Sequence, residues 1–351
     1  MKPSCRFTLC LAVSIILSAI AAAQSLTVTD IGSLNPGGPF DVSYGYALNT
    51  PGHVAGSSYT PDGFLHAILW TRSSGLRDLG TFGGQNSTAF GINDSGQVVG
   101  QADLASGATH AFLWSSSKGM QDLGTLGGLS SYAYAINRLG QVVGQAYLAS
   151  GNPHAFLLSK TAGMIDLGTL GGTASVAYAI NDLGEVVGSS NTAGDLSYHA
   201  FLWTQSAGMQ DLGTIQSSNP SYALGINHSG KIVGYAGTTQ LFEWTYGFLW
   251  TPSSGLQSLP FRPGSMQDFP MAINDLNQIT GQFTNASGDP LAFLDSKSTG
   301  IQDLNTLLPA NSGWILDIGT AINRKQQITG WGPVTINGAA VNHAFLLTRL
   351  P

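Results

Sequence analysis

The sequence repeats one phrase seven times, and this repetition constrains the fold more than any other feature. In its best copies the phrase reads Ala-Ile-Asn-x-x-Gly-x-Val-Val-Gly, and successive asparagines lie 44 to 49 residues apart. They are Asn49, Asn93, Asn137, Asn181, Asn227, Asn274 and Asn323. A period of about 20 to 50 residues is typical of solenoids, propellers and other repeat architectures. The pattern therefore predicts a single array of seven related units.

Two further phrases recur once per unit. His-Ala-Phe-Leu-Trp begins at His66, His110, His154, His199 and His343, with divergent copies at Tyr246 and Leu291. Asp-Leu-Gly-Thr-Leu-Gly-Gly begins at Asp78, Asp122 and Asp166, with weaker copies at Asp30, Asp211, Ser258 and Asp303. Together the phrases predict four short strands per unit. These strands are apolar on both faces, which indicates sheets that are covered on both sides.

The order of the strands at the two ends predicts a closed ring. Residues 26–31 resemble the fourth strand of a unit, whereas the chain ends on a third-type strand at residues 343–347. Pairing the two would complete the last unit and remove exposed sheet edges. We therefore predict an all-β fold, a seven-bladed β-propeller of four-stranded blades closed by the N-terminal strand. A β-helix is the alternative, although its coils are generally shorter and more uniform.

The Asn-x-x-Gly segment is expected to form the turn between the first and second strands. Its last residue should adopt a left-handed conformation, which suits glycine and, in one unit, Asn277. Gln326 suits this conformation poorly, so the last turn is expected to differ. The small residues of the Tyr-Ala-Ile-Asn strand favour the crowded innermost position of each blade.

The N-terminus has the pattern of a secretory signal peptide. Lys2 and Arg6 precede an apolar run that ends in Ala21-Ala22-Ala23, which fits a cleavage site. We predict a signal peptide over residues 1–23 and a single propeller domain over residues 24–351, secreted to the periplasm or the medium, with no membrane span after cleavage. An uncleaved membrane anchor is the alternative. Both cysteines, Cys5 and Cys10, lie in this segment.

Composition narrows the classes of partner. The chain has 46 glycines, only 9% charged residues, and 13 Lys and Arg against 19 Asp and Glu. Nucleic acid is an unexpected partner, because recognition of phosphates requires concentrated positive charge.

The three phrases in register resemble the extracellular HAF-repeat family of bacterial proteins, named for its His-Ala-Phe triplet. The resemblance covers residues 25–351 and implies export from a bacterial cell. It implies no established activity, so no functional residue is carried over. Units five to seven depart most, since Tyr246, Ser258 and Leu291 replace repeat residues.

The repeated histidines and aspartates are interpreted as structural. A histidine used once per unit is expected to bridge backbone groups between strands, and the aspartates are expected to cap the glycine-rich connections. The structural set comprises His66, His110, His154, His199, His343, Asp78, Asp122, Asp166 and Asp211. The carboxylates are too few per loop for a calcium shell of about six to eight oxygens. We predict no metal site, no cofactor and no catalytic constellation.

Side chains in the aromatic connections between second and third strands are the best candidates for ligand contacts, together with Arg262 and Trp314 at fourth-to-first connections on the same predicted face. Aromatic rings stack on sugars or anchor peptides. The candidate ligand-binding residues are Phe242, Glu243, Trp244, Tyr246, Arg262, Trp314 and Trp331. We predict a non-enzymatic binding propeller that recognises a glycan or a protein surface through the aromatic loops of units five to seven. A propeller-based hydrolase or lyase and a structural surface protein without a specific ligand are the alternatives; the oligomeric state stays open.

Overall fold

A computed structural model describes residues 26–215, 220–237, 245–260, 265 and 267–349. It is all-β, with seven four-stranded antiparallel sheets arranged as the blades of a closed propeller. The predicted fold is confirmed. The predicted signal peptide lies outside the described residues. Within the described residues, no helix combines the length and apolar character needed to cross a bilayer.

The strands follow the chain from the centre of each blade to its rim. The closing strand is β1 (Leu26–Asp30). Blade 1 is β2 (Ser43–Leu48), β3 (Val54–Tyr59), β4 (Leu65–Thr71) and β5 (Gly75–Asp78). Blade 2 is β6 (Gly83–Ile92), β7 (Val98–Leu104), β8 (Thr109–Ser115) and β9 (Gly119–Asp122). Blade 3 is β10 (Gly127–Ile136), β11 (Val142–Leu148), β12 (Pro153–Ser159) and β13 (Gly163–Asp166). Blade 4 is β14 (Gly171–Ile180), β15 (Val186–Thr192), β16 (Tyr198–Thr204) and β17 (Gly208–Gly213).

The remaining blades follow the same order. Blade 5 is β18 (Ser221–Ile226), β19 (Ile232–Ala236), β20 (Tyr246–Thr251) and β21 (Gly255–Ser258). Blade 6 is β22 (Gln267–Ile273), β23 (Ile279–Thr284), β24 (Pro290–Ser296) and β25 (Gly300–Asp303). Blade 7 is β26 (Ile318–Ile322), β27 (Ile328–Ile336), β28 (Ala339–Arg349) and, at its rim, β1. Two short 3-10 helices, Ala193–Asp195 and Leu304–Leu307, lie in connections.

The chain ends meet in blade 7 as the sequence predicts. Strand β1 pairs antiparallel with β28, so that Leu26 lies opposite Arg349 and Asp30 lies opposite Phe345. The hydrophobic core is divided among the interfaces between neighbouring blades, where the phenylalanine of each His-Ala-Phe phrase is fully buried at Phe112, Phe156, Phe201 and Phe345. Closure therefore joins the ends by backbone pairing and by a shared apolar interface.

The repeat asparagines form a ring of hydrogen bonds around the propeller axis. The Nδ2 of each asparagine donates to the backbone carbonyl of the asparagine in the next blade, at 2.9 to 3.2 Å, and Asn323 donates back to Asn49. The last turn does not differ from the others, contrary to the sequence prediction. Gln326 adopts φ 62° there, and its amide still donates to the Asn323 carbonyl. The hydrogen bonds of Asn323 outweigh the poor conformational preference of glutamine.

The innermost strand of every blade contains a β-bulge. In blade 3 the pairing with β11 shifts register between Ala133 and Ala135, which leaves Tyr134 as the extra residue. The same shift occurs at the equivalent position of the other six blades. The glycine of each Val-Val-Gly phrase faces this bulge: a Cβ added to Gly144 would overlap the Tyr132 carbonyl oxygen. The repeated glycine is therefore explained by the close approach of the neighbouring backbone.

The three repeated phrases meet where neighbouring blades join. The Ser131 hydroxyl accepts the amide of Ala111 and donates to the carbonyl of Gly124. Nearby, Nδ1 of His110 lies 2.8 Å from the carboxylate of Asp122, which also accepts the Gly124 amide. The histidine therefore contacts a carboxylate rather than bridging backbone groups. Equivalent histidine–aspartate pairs occur at His66–Asp78, His154–Asp166, His199–Asp211 and His343–Asp30.

Candidate functional site

The bulges direct one side chain from each blade toward the propeller axis. These side chains stand three residues before the repeat asparagine, and they line a cavity of about 460 Å³ together with Trp331. They are Tyr46, Phe90, Tyr134, Tyr178, Leu224, Met271 and Thr320. A bulge commonly re-aims a side chain away from the regular sheet face. We call this cavity the vestibule; it opens toward the loop face, which carries the connections between second and third strands.

Aromatic rings form a continuous arc along one side of the vestibule. Ring centroids are 5.4 Å apart for Tyr46 and Phe90, 5.4 Å for Phe90 and Tyr134, and 5.7 Å for Tyr134 and Tyr178. Trp331 extends the arc, because its ring lies 5.4 Å from that of Tyr46 at a steep angle. The opposite side carries Leu224, Met271 and Thr320 and is not aromatic. The vestibule therefore has one face suited to ring stacking and one that is not.

The vestibule lining that the structure describes is uncharged. It includes no Asp, Glu, Lys, Arg or His among its described residues. Burial raises the pKa of the Tyr46, Tyr134 and Tyr178 hydroxyls, so these groups stay neutral at physiological pH. Neutral phenols can both donate and accept hydrogen bonds. The site thus combines apolar ring surface with uncharged polar groups.

An aliphatic ring separates the vestibule from the opposite mouth of the channel. It consists of the residues directly before the repeat asparagines, Leu48, Ile92, Ile136, Ile180, Ile226, Ile273 and Ile322. Beyond this ring lies a second cavity of about 260 Å³ on the turn face, which carries the Asn-x-x-Gly turns. Its lining includes the residues that follow the asparagines, which are mostly charged. The two ends of the channel therefore differ in polarity.

The carboxylates at the turn-face mouth each contact a neighbouring blade. Asp94 accepts the amide and hydroxyl of Thr50, and Asp182 pairs with Arg138 at 2.7 Å. Asp275 accepts the amide of His228 and pairs with Arg324. Burial acts to raise the pKa of Asp275, but these hydrogen bonds and the Arg324 charge outweigh it and lower the pKa. Among the described residues, no three His, Cys, Asp or Glu side chains are placed to hold a metal ion.

The structure distributes the predicted ligand-binding residues over different places. Trp331 lies inside β27 rather than in a loop, and it lines the vestibule. Tyr246 begins β20, opposite Ala236. Trp314 packs against Phe345 with ring centroids 5.9 Å apart, beside the apolar cluster between blades 6 and 7. The remaining candidates, Phe242, Glu243, Trp244 and Arg262, lie outside the described residues. Of the described candidates, Trp331 is the one that lines the vestibule.

Two acidic residues occupy the position of the interblade serine in blades 6 and 7. Asp268 and Asp317 stand six residues before the repeat asparagine, where Ser131 stands in blade 3. Burial raises the pKa of Asp317 to about 6. Neither acid belongs to the described lining of the vestibule. These two serine replacements follow blades in which Tyr246 and Leu291 replace the repeat histidine.

Sequence reasoning missed the aromatic arc, although the repeat contained a signal. The position three before the asparagine holds Tyr46, Phe90, Tyr134 and Tyr178 in the first four units. In a regular strand the alternation of side chains would not by itself direct this residue to the channel. Recognising the bulge was necessary to identify the site.

Comparison with known proteins supports the fold. No family model matches the chain, and no curated protein matches it. A virginiamycin B lyase from Staphylococcus aureus is similar over 93% of this chain and 100% of its own, with a TM-score of 0.56 and 10% identity. The β-propeller domain of the Trilobed protease from Pyrococcus furiosus, described as having an open velcro topology, matches 87% of this chain and 95% of its own, with a TM-score of 0.59 and 8% identity. At such low identity these similarities establish a propeller fold shared with proteins of different activities.

Proposed function

We propose that the protein is a non-enzymatic binding propeller whose ligand enters the vestibule from the loop face. The arc of Trp331, Tyr46, Phe90, Tyr134 and Tyr178 is the observation that carries this proposal. Seven bulges present these positions to one cavity, and such concave sites with few polar groups are typical of small-ligand binding. The proposal places the ligand in the channel and retains Trp331 from the sequence prediction.

An uncharged glycan fits this lining best. Aromatic rings offer apolar faces to the C–H surfaces of sugars, and the tyrosine hydroxyls offer donors and acceptors. The absence of charged side chains from the described lining disfavours ligands that require an ion pair. A peptide loop from a protein partner is the second candidate, and binding to glycans separates the two.

The test is thermal unfolding of the protein across a panel of neutral oligosaccharides. A ligand that binds only the folded state raises the unfolding midpoint as its concentration increases. Tyr134→Leu should weaken binding by about tenfold, the loss expected for one aromatic contact of about 1 kcal/mol or somewhat more. Leucine is compatible with this position because Leu224 occupies it in blade 5.

Met271→Leu is the matched control, since it changes the non-aromatic side of the same cavity and should leave affinity nearly unchanged. Equal losses for both variants would argue against stacking on the aromatic arc. An absence of any shift across the neutral panel would contradict the glycan proposal and favour a protein partner or a structural role. The same unfolding experiment is repeated with added calcium and with a chelator. A fall in the unfolding midpoint with chelator would contradict the prediction of no metal site.

Export and family membership remain part of the proposal. The pattern of residues 1–23 supports secretion, and the His-Ala-Phe repeats support a place among the extracellular HAF-repeat proteins. Determining the N-terminus of the protein recovered from its native cells tests the export proposal. A mature N-terminus near Gln24 is the expected result, and an intact Met1 on a cell-associated protein would contradict it.

A further inference from the structure

The turn face carries a ring around the channel mouth in which three aspartates alternate with two arginines, a histidine and a threonine. In order around the axis, the residues that follow the repeat asparagines are Thr50, Asp94, Arg138, Asp182, His228, Asp275 and Arg324. Because each asparagine bonds to the next blade, this order is also the spatial order. Arg138 and Arg324 are about half exposed, so their guanidinium groups can contact a partner beyond their intramolecular carboxylates.

Exposed leucines surround this ring at the next position of three turns. Leu139, Leu183 and Leu276 are 66%, 62% and 55% exposed. The equivalent positions in the other blades hold Pro51, Ser95, Ser229 and Lys325. The turn face therefore presents an apolar rim beside a charged centre.

The order of the charges is self-complementary under one particular two-fold rotation. Placing a second copy face to face, with blade 1 over blade 1, sets Asp94 over Arg324. The same rotation sets Arg138 over Asp275 and Asp182 over His228. Seven two-fold rotations in all place the blades of one copy over the blades of the other. Each of the six remaining rotations brings at least one pair of like charges together. Like charges in contact disfavour association, so the ring selects this single arrangement.

The exposed leucines are compatible with the same rotation. The operation that pairs Arg138 with Asp275 also brings Leu139 over Leu276 of the second copy, and Leu276 over Leu139. Leu183 comes to lie over Ser229, and Lys325 over Ser95. An isologous contact requires a patch that complements itself in this way. Six of the seven rotations bring at least one of these leucines over another, so the leucines are compatible with the axis but the charges select it.

We infer that the protein forms a two-fold homodimer through its turn faces, with blade 1 lying over blade 1. The dimer covers the charged mouth and the exposed leucines of both copies. It leaves the two vestibules open on opposite outer faces, so each dimer presents two ligand sites pointing away from each other. This arrangement makes the assembly bivalent without occupying the vestibule.

The test measures the oligomeric state of the purified protein by sedimentation velocity over a range of concentrations. Leu139→Lys should raise the dimer dissociation constant by about tenfold or more, and Leu276→Glu should do the same, because each change occurs twice in a symmetric interface. Lys325 shows that a turn accepts lysine at this position. Leu129→Lys, which alters an 82% exposed leucine on the loop face, is the control and should leave dimerisation unchanged.

Mixing the Leu139→Lys and Leu276→Glu variants distinguishes this axis from any other use of the same face. In a mixed dimer, the introduced lysine of one copy faces the introduced glutamate of the other, while the second contact keeps both leucines. The mixture should therefore form dimers at concentrations where each variant alone is monomeric. A protein that is monomeric up to about 100 µM overturns the inference, as does a mixture that stays monomeric or a dimer disrupted by Leu129→Lys alone.

Discussion

The repeat asparagine makes more hydrogen bonds than a turn requires. In blade 3, Oδ1 of Asn137 accepts the amides of Leu139 and Gln141, while Nδ2 donates to the Asn181 carbonyl and to the Gln141 side chain. The side chain is almost fully buried. Aspartate could accept the same amides, but it would place a carboxylate oxygen against the Asn181 carbonyl. The residue therefore serves the turn and the contact between blades at once.

Substitutions at Asn137 should separate these two roles. Asn137→Asp keeps the acceptors and loses the donor, so we expect a loss of about 2 kcal/mol in the free energy of unfolding. Asn137→Ala loses both and should cost about 3 kcal/mol or more. Denaturant unfolding measures both values. Ser150→Ala, at an exposed hairpin residue, should change stability by less than about 0.5 kcal/mol, and equal losses at Asn137 and Ser150 would contradict the interblade role.

At the scale of the strand, the bulge and the glycine opposite it form one unit. The extra residue bends the inner strand and turns its side chain to the channel, and the partner strand must then leave space for the displaced carbonyl. Gly144 provides that space. A Cβ added to Gly225 on an inner strand would lie 3.2 Å from a valine side chain and 3.3 Å from the backbone of the next blade. Alanine already stands at the position of Gly225 in other blades, for example at Ala135.

Two glycine substitutions should therefore give very different results. Gly144→Ala would drive a methyl group into the Tyr132 carbonyl, so the backbone must shift and we expect a loss of about 3 kcal/mol or more. Gly225→Ala should change the free energy of unfolding by less than about 1 kcal/mol. Thermal or denaturant unfolding gives the comparison. Similar stability for the two variants would show that the bulge does not constrain the second strand.

At the scale of the whole molecule, the ring is closed at its rim and at its centre. Strand β1 completes the rim, and Asn323 donates to Asn49 at the centre. The closing blade also has a histidine environment that differs from those of His66, His110, His154 and His199. Nδ1 of His343 lies 2.9 Å from Asp30, and its Nε2 lies 2.8 Å from Asp41. Two carboxylate partners favour the imidazolium form of this buried ring.

This contact should make the stability of the closed ring depend on pH. Burial acts to lower the pKa of His343, but the hydrogen bonds and charges of Asp30 and Asp41 outweigh it and raise the pKa. The resulting stabilisation is fully present below the ordinary histidine pKa of 6.5, and it is lost as the pH rises through the raised value. Burial also opposes ionisation of Asp41, yet hydrogen bonds from Ser33, Gly37 and His343 lower its pKa. Its contribution is present above its ordinary pKa of 3.8 and is lost as the pH falls through the lowered value.

The unfolding midpoint should therefore be higher at about pH 5.5 than at about pH 8.5. His343→Leu should reduce this difference, and leucine is tolerated at the equivalent Leu291 of blade 6. His154→Leu removes a histidine–aspartate contact from a blade inside the ring, and it should lower the midpoint while keeping the pH dependence that arises at His343. A pH profile unchanged by His343→Leu would contradict this account of closure.

The sequence predicted the closed propeller more completely than it predicted the residues that line the vestibule. The strand order at the chain ends fixed the closure, because a unit divided between two termini becomes complete only when they pair. The vestibule depended on a bulge, which changes the direction of Tyr134 without changing the residue pattern. Trp331 was expected in a loop, but it directly follows Gly330 at the position of Gln145 in β11 and so lies within the regular second strand. The histidine partner was missed because the hairpin register, rather than proximity in sequence, brings His110 beside Asp122.

The hydrogen bonds of the asparagine ring all run in the same direction around the axis, and this has an evolutionary consequence. Each repeat gives one hydrogen bond to its successor and receives one from its predecessor, so a tandem duplication would add a blade with both requirements already met. The asparagine hydrogen bonds therefore do not determine the number of blades. A lineage could therefore gain or lose whole units while keeping every asparagine in use.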